Sequence, residues 1–194
     1  GIAEANMVGV AAGMTIGGKI PFIGTFANFA TGRVFDQIRQ SVCYSDKNVK
    51  ICASHSGLTL GEDGATHQIL EDFALMRVLP NIKVVCPVDT VEAVKATRAI
   101  IAEDGPVYLR TSRAPFPVLT KESDPFEIGK ANVLREGKDV TLIGCGLMVY
   151  ESLMAADLLK KDGIEAKVVN MHTIKPIDEK TIIESAKATG AVVT

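Results

Sequence analysis

Apolar residues along this chain fall into short continuous runs separated by longer amphipathic stretches. Residues 4–16, EANMVGVAAGMTI, read as a helix that is apolar on most faces. Lys19 to Gly24 reads as a short buried strand. Arg33 to Tyr44 places Val34, Phe35, Ile38 and Val42 at helical spacing. The same reading predicts a strand over 48–54, a helix over 66–78 and a strand over 82–87. A helix over 90–102 follows behind Asp89 as its N-cap, and a strand covers 106–111. Alternating helices and continuous apolar strands predict an α/β fold whose parallel sheet is flanked by helices.

Residues 114–130, APFPVLTKESDPFEIGK, interrupt the pattern with three prolines and mixed charge. They read as a linker or domain boundary. A second, smaller α/β pattern follows: strand 139–145, helix 149–161, strand 165–170, helix 178–188 and strand 191–194.

One loop concentrates polar chemistry. Residues 54–68, SHSGLTLGEDGATHQ, hold two of the three histidines, two carboxylates and three glycines. The loop follows a predicted strand, and ligands of parallel α/β sheets bind beyond the carboxyl ends of strands. Glycine lets backbone approach a ligand closely. His55 and His67 suit phosphate contact, hydroxyl contact or proton transfer near neutral pH, and Asp63 can accept hydrogen bonds from a polyol. The plainer alternative makes Asp63-Gly64 a simple turn and Thr66 a helix N-cap.

Charge and composition narrow the partners. The 21 basic and 23 acidic side chains leave a net charge of −2, with no basic block to bind nucleic acid or an anionic membrane. No apolar run reaches membrane-spanning length and no signal peptide is visible. The hydrophobic fraction of 47% against 23% charged suits a well-buried α/β protein. Cys52, Cys86 and Cys145 lie in apolar runs and no C-x-x-C pair occurs, so all four cysteines, Cys43 included, read as reduced thiols of a cytosolic protein. Gly1 is not a start methionine and the chain stops in an apolar run, so the sequence reads as a fragment.

The pattern G-E-D-G-x-T-H-Q after a strand, with a histidine twelve residues before the second one, resembles transketolase. So do GIAEANMVGVAAGM at 1–14, GTFANFATGRVFDQIR at 24–39, TSRAP at 111–115 and HTIKPID at 172–178. The resemblance implies a pyrimidine-binding domain of a thiamine-diphosphate enzyme over 1–118 and a linker over 119–130. A truncated transketolase C-terminal domain would cover 131–194. The extent is similar to the C-terminal subunit of a split transketolase.

Family roles carry over to matching positions. Glu4 matches the glutamate that hydrogen-bonds N1′ of the cofactor's aminopyrimidine ring. Phe26 and Phe29 match aromatics that pack on that ring. His55, Asp63 and His67 match substrate-channel residues, His67 with a catalytic part, and Arg113 matches a residue that holds the sugar phosphate. Each has a plainer alternative: a solvated first-turn Glu4, core phenylalanines, a surface ion pair for Arg113. His172 reads as structural. Gly32 stands where many transketolases have a third aromatic. Ala3 and Ala5 flank Glu4 as in the related deoxyxylulose-phosphate synthases, although His55 stands where that family usually has an acidic residue.

The Gly-Asp-Gly motif that binds Mg²⁺ and the diphosphate is absent, since Lys161-Asp162-Gly163 is a helix-to-strand turn. The resemblance therefore implies that an N-terminal partner subunit or domain holds Mg²⁺ and the diphosphate of thiamine diphosphate. This chain would hold no metal. The implied activity is transfer of a two-carbon ketol unit between sugar phosphates by a cytoplasmic dimer or heterotetramer. A 1-deoxyxylulose-5-phosphate synthase-like enzyme, a 2-oxoacid dehydrogenase β subunit and a non-catalytic partner subunit remain open at this stage.

Overall fold

The computed structural model describes residues 1–194. The chain forms two compact units, Gly1–Val85 with Ala96–Pro115, and Cys86–Lys95 with Phe116–Thr194. In chain order the first unit contains α1 (Glu4–Ile16), β1 (Phe22–Phe26), α2 (Ala27–Thr31) and α3 (Phe35–Gln37), which runs into a π-helical stretch, Ile38–Tyr44. Then come β2 (Lys50–Ser54), a 3-10 turn (Leu58–Leu60), α4 (Asp72–Arg77) and β3 (Lys83–Val85). α5 (Thr90–Ala102) contributes residues to both units, and β4 (Val107–Arg110) ends the first. Strands β1, β2, β4 and β3 lie side by side in that order, all parallel.

Central strands explain the apolar runs. Ile51 and Ala53 of β2 and Val107, Tyr108 and Leu109 of β4 are buried, as helices on both faces require. β1 lies at the edge, so Phe22 and Gly24 are exposed. Lys50 begins β2 with its side chain fully buried. Its Nζ donates to the carbonyls of Glu103 and Gly105, both at 2.8 Å, and so closes the turn after α5. Burial, reinforced by Lys83, lowers its pKa to about 8 against the opposing pull of Asp104 and Glu103.

The second unit contains β5 (Asn132–Arg135), β6 (Val140–Gly144), α6 (Leu147–Lys161), β7 (Ala166–Asn170), β8 (Thr173–Lys175), α7 (Glu179–Thr189) and β9 (Val192–Val193). Its sheet runs β5-β7-β6-β9, with β5 antiparallel to β7 and the others parallel. Val149 and Ala156 of α6 pack on Leu142, Ala166 and Val168. Asp89 is the N-cap of α5: its Oδ1 accepts from Glu92 N at 2.8 Å, and Oδ2 accepts from the backbone of Leu119 and Thr120 at 2.7 Å each. Burial works against the ionised form, but these hydrogen bonds outweigh it and hold Asp89 below the usual carboxylate range.

Several expectations give way. The strand expected over 19–24 is β1 at 22–26. The helix expected over 33–44 begins only at Phe35, since Arg33 and Val34 lie in a turn and Val34, with φ −121° and ψ 25°, is outside helical geometry. The helix expected over 66–78 shrinks to Asp72–Arg77, because Asn28 Nδ2 takes the Thr66 carbonyl and Gln68 Nε2 reaches back to Leu58 O. Thr66 is no cap; its hydroxyl pairs with His67 Nδ1. Residues 114–130 carry no helix or strand.

His172 is fully buried, stacked on Phe126 at 4.3 Å, with Nδ1 3.1 Å from Thr173 Oγ1 and no partner for Nε2. Burial lowers its pKa to about 4, with Asp178 opposing. A base whose folded pKa is depressed is penalised wherever the unfolded chain takes a proton that the fold refuses. Stability is therefore full above about pH 6.5, falls as pH drops, and levels near pH 4, with a loss on the order of 3 kcal/mol. Denaturant titrations at pH 7.5 and 4.5 should show a smaller loss in His172→Gln. An equal loss in both proteins would rule out His172 as its source.

Candidate active site

The sheet's register gathers the site. Phe26 pairs with Ser54, and Ala53 pairs with Arg110, so β1, β2 and β4 end at one level. The residues just beyond these ends are Phe29, His55 and Arg113. Thr111 N donates to Ala53 O at 2.8 Å, while Ser56 N and Oγ both donate to Thr111 O, at 3.2 and 2.9 Å. These bonds continue the β2–β4 pairing into the loop and fix where His55 begins.

His55 takes a left-handed backbone, φ 58°, costly for a residue with a Cβ. Its ring stacks on Phe26 with centroids 3.9 Å apart and planes 16° apart. Phe26 and Phe29 are nearly parallel at 6.2 Å, and His67 meets Phe29 edge-on at 5.1 Å and Phe26 at 6.3 Å. The two phenylalanines are half-buried rather than core. Each histidine uses Nδ1 locally, His55 with Ser54 Oγ and His67 with Thr66 Oγ1, both at 2.8 Å. Nε2 of each remains for a ligand.

Glu4 opens α1 behind Ala3, itself left-handed at φ 59°. Its side chain is 7% exposed. A carboxylate this buried needs a partner, and Arg33 Nη1 supplies one at 3.0 Å. The Arg33 guanidinium also lies 3.8 Å from the centroid of Phe29, in cation–π geometry. Glu4, Arg33, Phe29, Phe26, His55 and His67 thus form one continuous contact group.

Asp63, on this loop, and Arg113, just after β4, form a second group. Arg113 Nη1 donates to Leu60 O at 2.7 Å, and the guanidinium lies 3.5 Å from Glu62 and 3.6 Å from Asp63. Gly61, at φ 79°, lets the backbone turn over Arg113. The loop ends on a buried anchor. Asp72 is fully buried and accepts from Tyr108 OH at 2.8 Å and Arg110 Nε at 2.6 Å. Arg110 in turn lies over Phe73.

The structure brings Glu4, Phe26, Phe29, His55 and His67 into one group, while Asp63 and Arg113 pair apart from the aromatic group. Sequence reasoning missed Arg33, Asn28 and Gln68. Arg33 stood inside the quoted GTFANFATGRVFDQIR segment, but nothing in its spacing tied it to Glu4, 29 residues earlier.

These residues fit the ring end of thiamine diphosphate: flat apolar walls beside a buried carboxylate. No cluster of His, Cys, Asp or Glu in the chain could hold a metal ion. No helix is long and apolar enough to cross a membrane.

The chain is similar to proteins already known. Residues 1–117 match the family model "Transketolase, pyrimidine binding domain", and 129–194 match "Transketolase, C-terminal domain". The chain is 49% identical, over its whole length, to the 6-deoxy-6-sulfo-D-fructose transketolase subunit SqwH of Clostridium sp., of which it covers 60%. It is 46% identical over 95% of its length to a putative transketolase C-terminal section of Methanocaldococcus jannaschii, covering 59% of it. Human transketolase is 42% identical across the whole chain, which covers 31% of that protein. The chain therefore spans about three-fifths of the first two curated relatives. A solved structure described as a split gene transketolase, inactive beta4 tetramer, superposes with a TM-score of 0.93 at 48% identity, covering 99% of this chain and 62% of that one. The chain belongs to the transketolase family, of which it carries the pyrimidine-binding and C-terminal domains.

Proposed function

We propose that this chain is the C-terminal half of a thiamine-diphosphate-dependent transketolase that moves a two-carbon ketol unit from a ketose phosphate to an aldose phosphate. The buried Glu4 carboxylate beside Phe26 and Phe29 carries this reading. Its domains would be 1–118 and 131–194 with a linker over 119–130. An N-terminal half would hold Mg²⁺ and the diphosphate. Inactivity of the related beta4 assembly accords with half a site per chain. Exposed Val10, Met14, Ile20 and Phe22, on and beside α1, offer apolar surface for a partner.

Thiamine diphosphate, when bound, supplies the carbon nucleophile for the ketose carbonyl. Phe26 and Phe29 hold its aminopyrimidine ring and keep water from it. Glu4 shares a proton with ring nitrogen N1′. His55 and His67 exchange hydrogen bonds or protons with substrate hydroxyls through Nε2, and Asp63 accepts from a further hydroxyl. Arg113 binds the terminal oxyanion, for which a planar guanidinium is suited. The name of the Clostridium relative extends this last contact to a terminal sulfonate, a second reading that the 49% identity favours.

The test is an assay of this chain with its N-terminal half, using xylulose 5-phosphate with ribose 5-phosphate, and a 6-sulfonated ketose as alternative donor. Arg113→Ala should raise KM for the phosphorylated acceptor by roughly 10-fold or more, as loss of a charge-assisted bond implies. KM for glycolaldehyde should hardly move. Equal effects on both would place Arg113 outside the oxyanion site. No ketol transfer from either donor would overturn the reading.

A further inference from the structure

Arg33 occupies the place that the proposed ring needs. Its guanidinium is planar, stacked 3.8 Å from the centroid of Phe29, and bonded to Glu4 Oε1 at 3.0 Å. An aminopyrimidine seated on Phe29 with a nitrogen on Glu4 would make the same two contacts, one flat and one to a carboxylate. On the same face of Phe29 and the same oxygen of Glu4, the ring would need the space that Arg33 fills.

We infer that Arg33 is a displaceable placeholder of the pyrimidine pocket, covering Phe29 and neutralising Glu4 until the ring enters. The inference rests on the proposed cofactor role of this pocket. Three observations support it. The Arg33 side chain is 54% exposed while that of Glu4 is 7% exposed, so the arginine can swing into water and the carboxylate cannot. Gly32, next to it, leaves that wall without a side chain, and a Cβ there would already crowd Asn28 O at 3.3 Å. Finally, Glu4 has an evident need for this cation, since an unpaired carboxylate so buried is costly.

Occupation by a resident group lowers apparent ligand affinity by the fraction of time the pocket is open. Removing Arg33 should therefore strengthen ring binding, an effect opposite to that of losing an ordinary binding or structural residue. The role is a positioning one: Arg33 holds the Glu4 side chain in place through the 3.0 Å bond, and does not touch the reacting atoms.

The experiment uses this chain and the free ring fragment 4-amino-5-hydroxymethyl-2-methylpyrimidine, followed by NMR titration. Arg33→Met should bind the fragment about 3- to 10-fold more tightly than wild type, the range expected when a closed majority state is removed. Arg33→Lys, which retains charge but not the flat stack, should fall between, and guards against misfolding of the methionine variant. In wild type the Arg33 Nε–H resonance should shift as the fragment saturates. Glu4→Gln should lose binding. Equal or weaker binding by both Arg33 variants, or no saturable binding to any of these proteins, overturns the inference. The ketol-transfer assay with the N-terminal half is separate. Turnover there with weaker fragment binding by the Arg33 variants would sink the placeholder and leave the enzyme reading standing, and tighter binding without turnover would do the reverse.

Discussion

Glu4→Gln is expected to lower kcat by about 10²-fold or more in the enzyme reconstituted with its N-terminal half, within the range of acid–base residues. Glutamine keeps the shape and a hydrogen bond but cannot share a proton in the same way. The carboxylate is nearly sealed from water, so a bond from it to a ring nitrogen would be stronger than in bulk solvent. Affinity for the cofactor should fall much less if, as proposed, the diphosphate end is held by the N-terminal half. The decisive measurement is hydrogen–deuterium exchange at the cofactor's thiazolium C2 position, by NMR, in wild type and variant. Undiminished exchange would show that Glu4 is not the activating carboxylate.

Asp72→Ala is expected to have the largest effect on stability. Asp72 is fully buried and is the acceptor for Tyr108 OH, Arg110 Nε and, at 3.4 Å, Arg110 Nη2. Arg110 is itself only 18% exposed. Removing the carboxylate takes away the buried acceptor that a poorly solvated guanidinium and a buried phenol share, at a cost of about 3–5 kcal/mol. Asp72→Asn, which keeps an acceptor but not the charge, should lose less. Urea melts of both variants report the difference. The loop from His55 to Glu71 hangs from this anchor, so limited proteolysis should cut Asp72→Ala there first. Wild-type cleavage with an unchanged midpoint would dismiss the anchor.

Much of this site could be read from residue order because its parts sit at strand ends, and strand ends are marked by where apolar runs stop. β2, β4 and α5 follow their patterns: buried runs for the strands, and for the helix an Asp89 cap with its N–H partner at Glu92. β1 was displaced because Ile20-Pro21-Phe22-Ile23 is apolar throughout, and an apolar run does not say which of its residues pair. β5 is a short edge strand whose residues are mostly half-buried, so it carries no run to see. α2 follows β1 without a break, its register hidden by that continuity. Loop hydrogen bonds from Asn28 and Gln68 override the helical spacing of 66–71, a long-range effect that no local pattern encodes. The Glu4–Arg33 pair is invisible for the same reason.

The left-handed backbone at His55 has a consequence for how this position can vary. Non-glycine residues reach that region of φ and ψ at a cost, least for asparagine and aspartate and greatest for β-branched side chains. The ladder bonds of Ser56 and Thr111 hold the turn in place, so the chain cannot relax to suit a newcomer. Position 55 therefore has a restricted alphabet set by geometry before any substrate is considered. A selection that randomises it would sieve first for conformers and only then for chemistry, and the survivors would be drawn from glycine, asparagine, aspartate and histidine whatever sugar is offered.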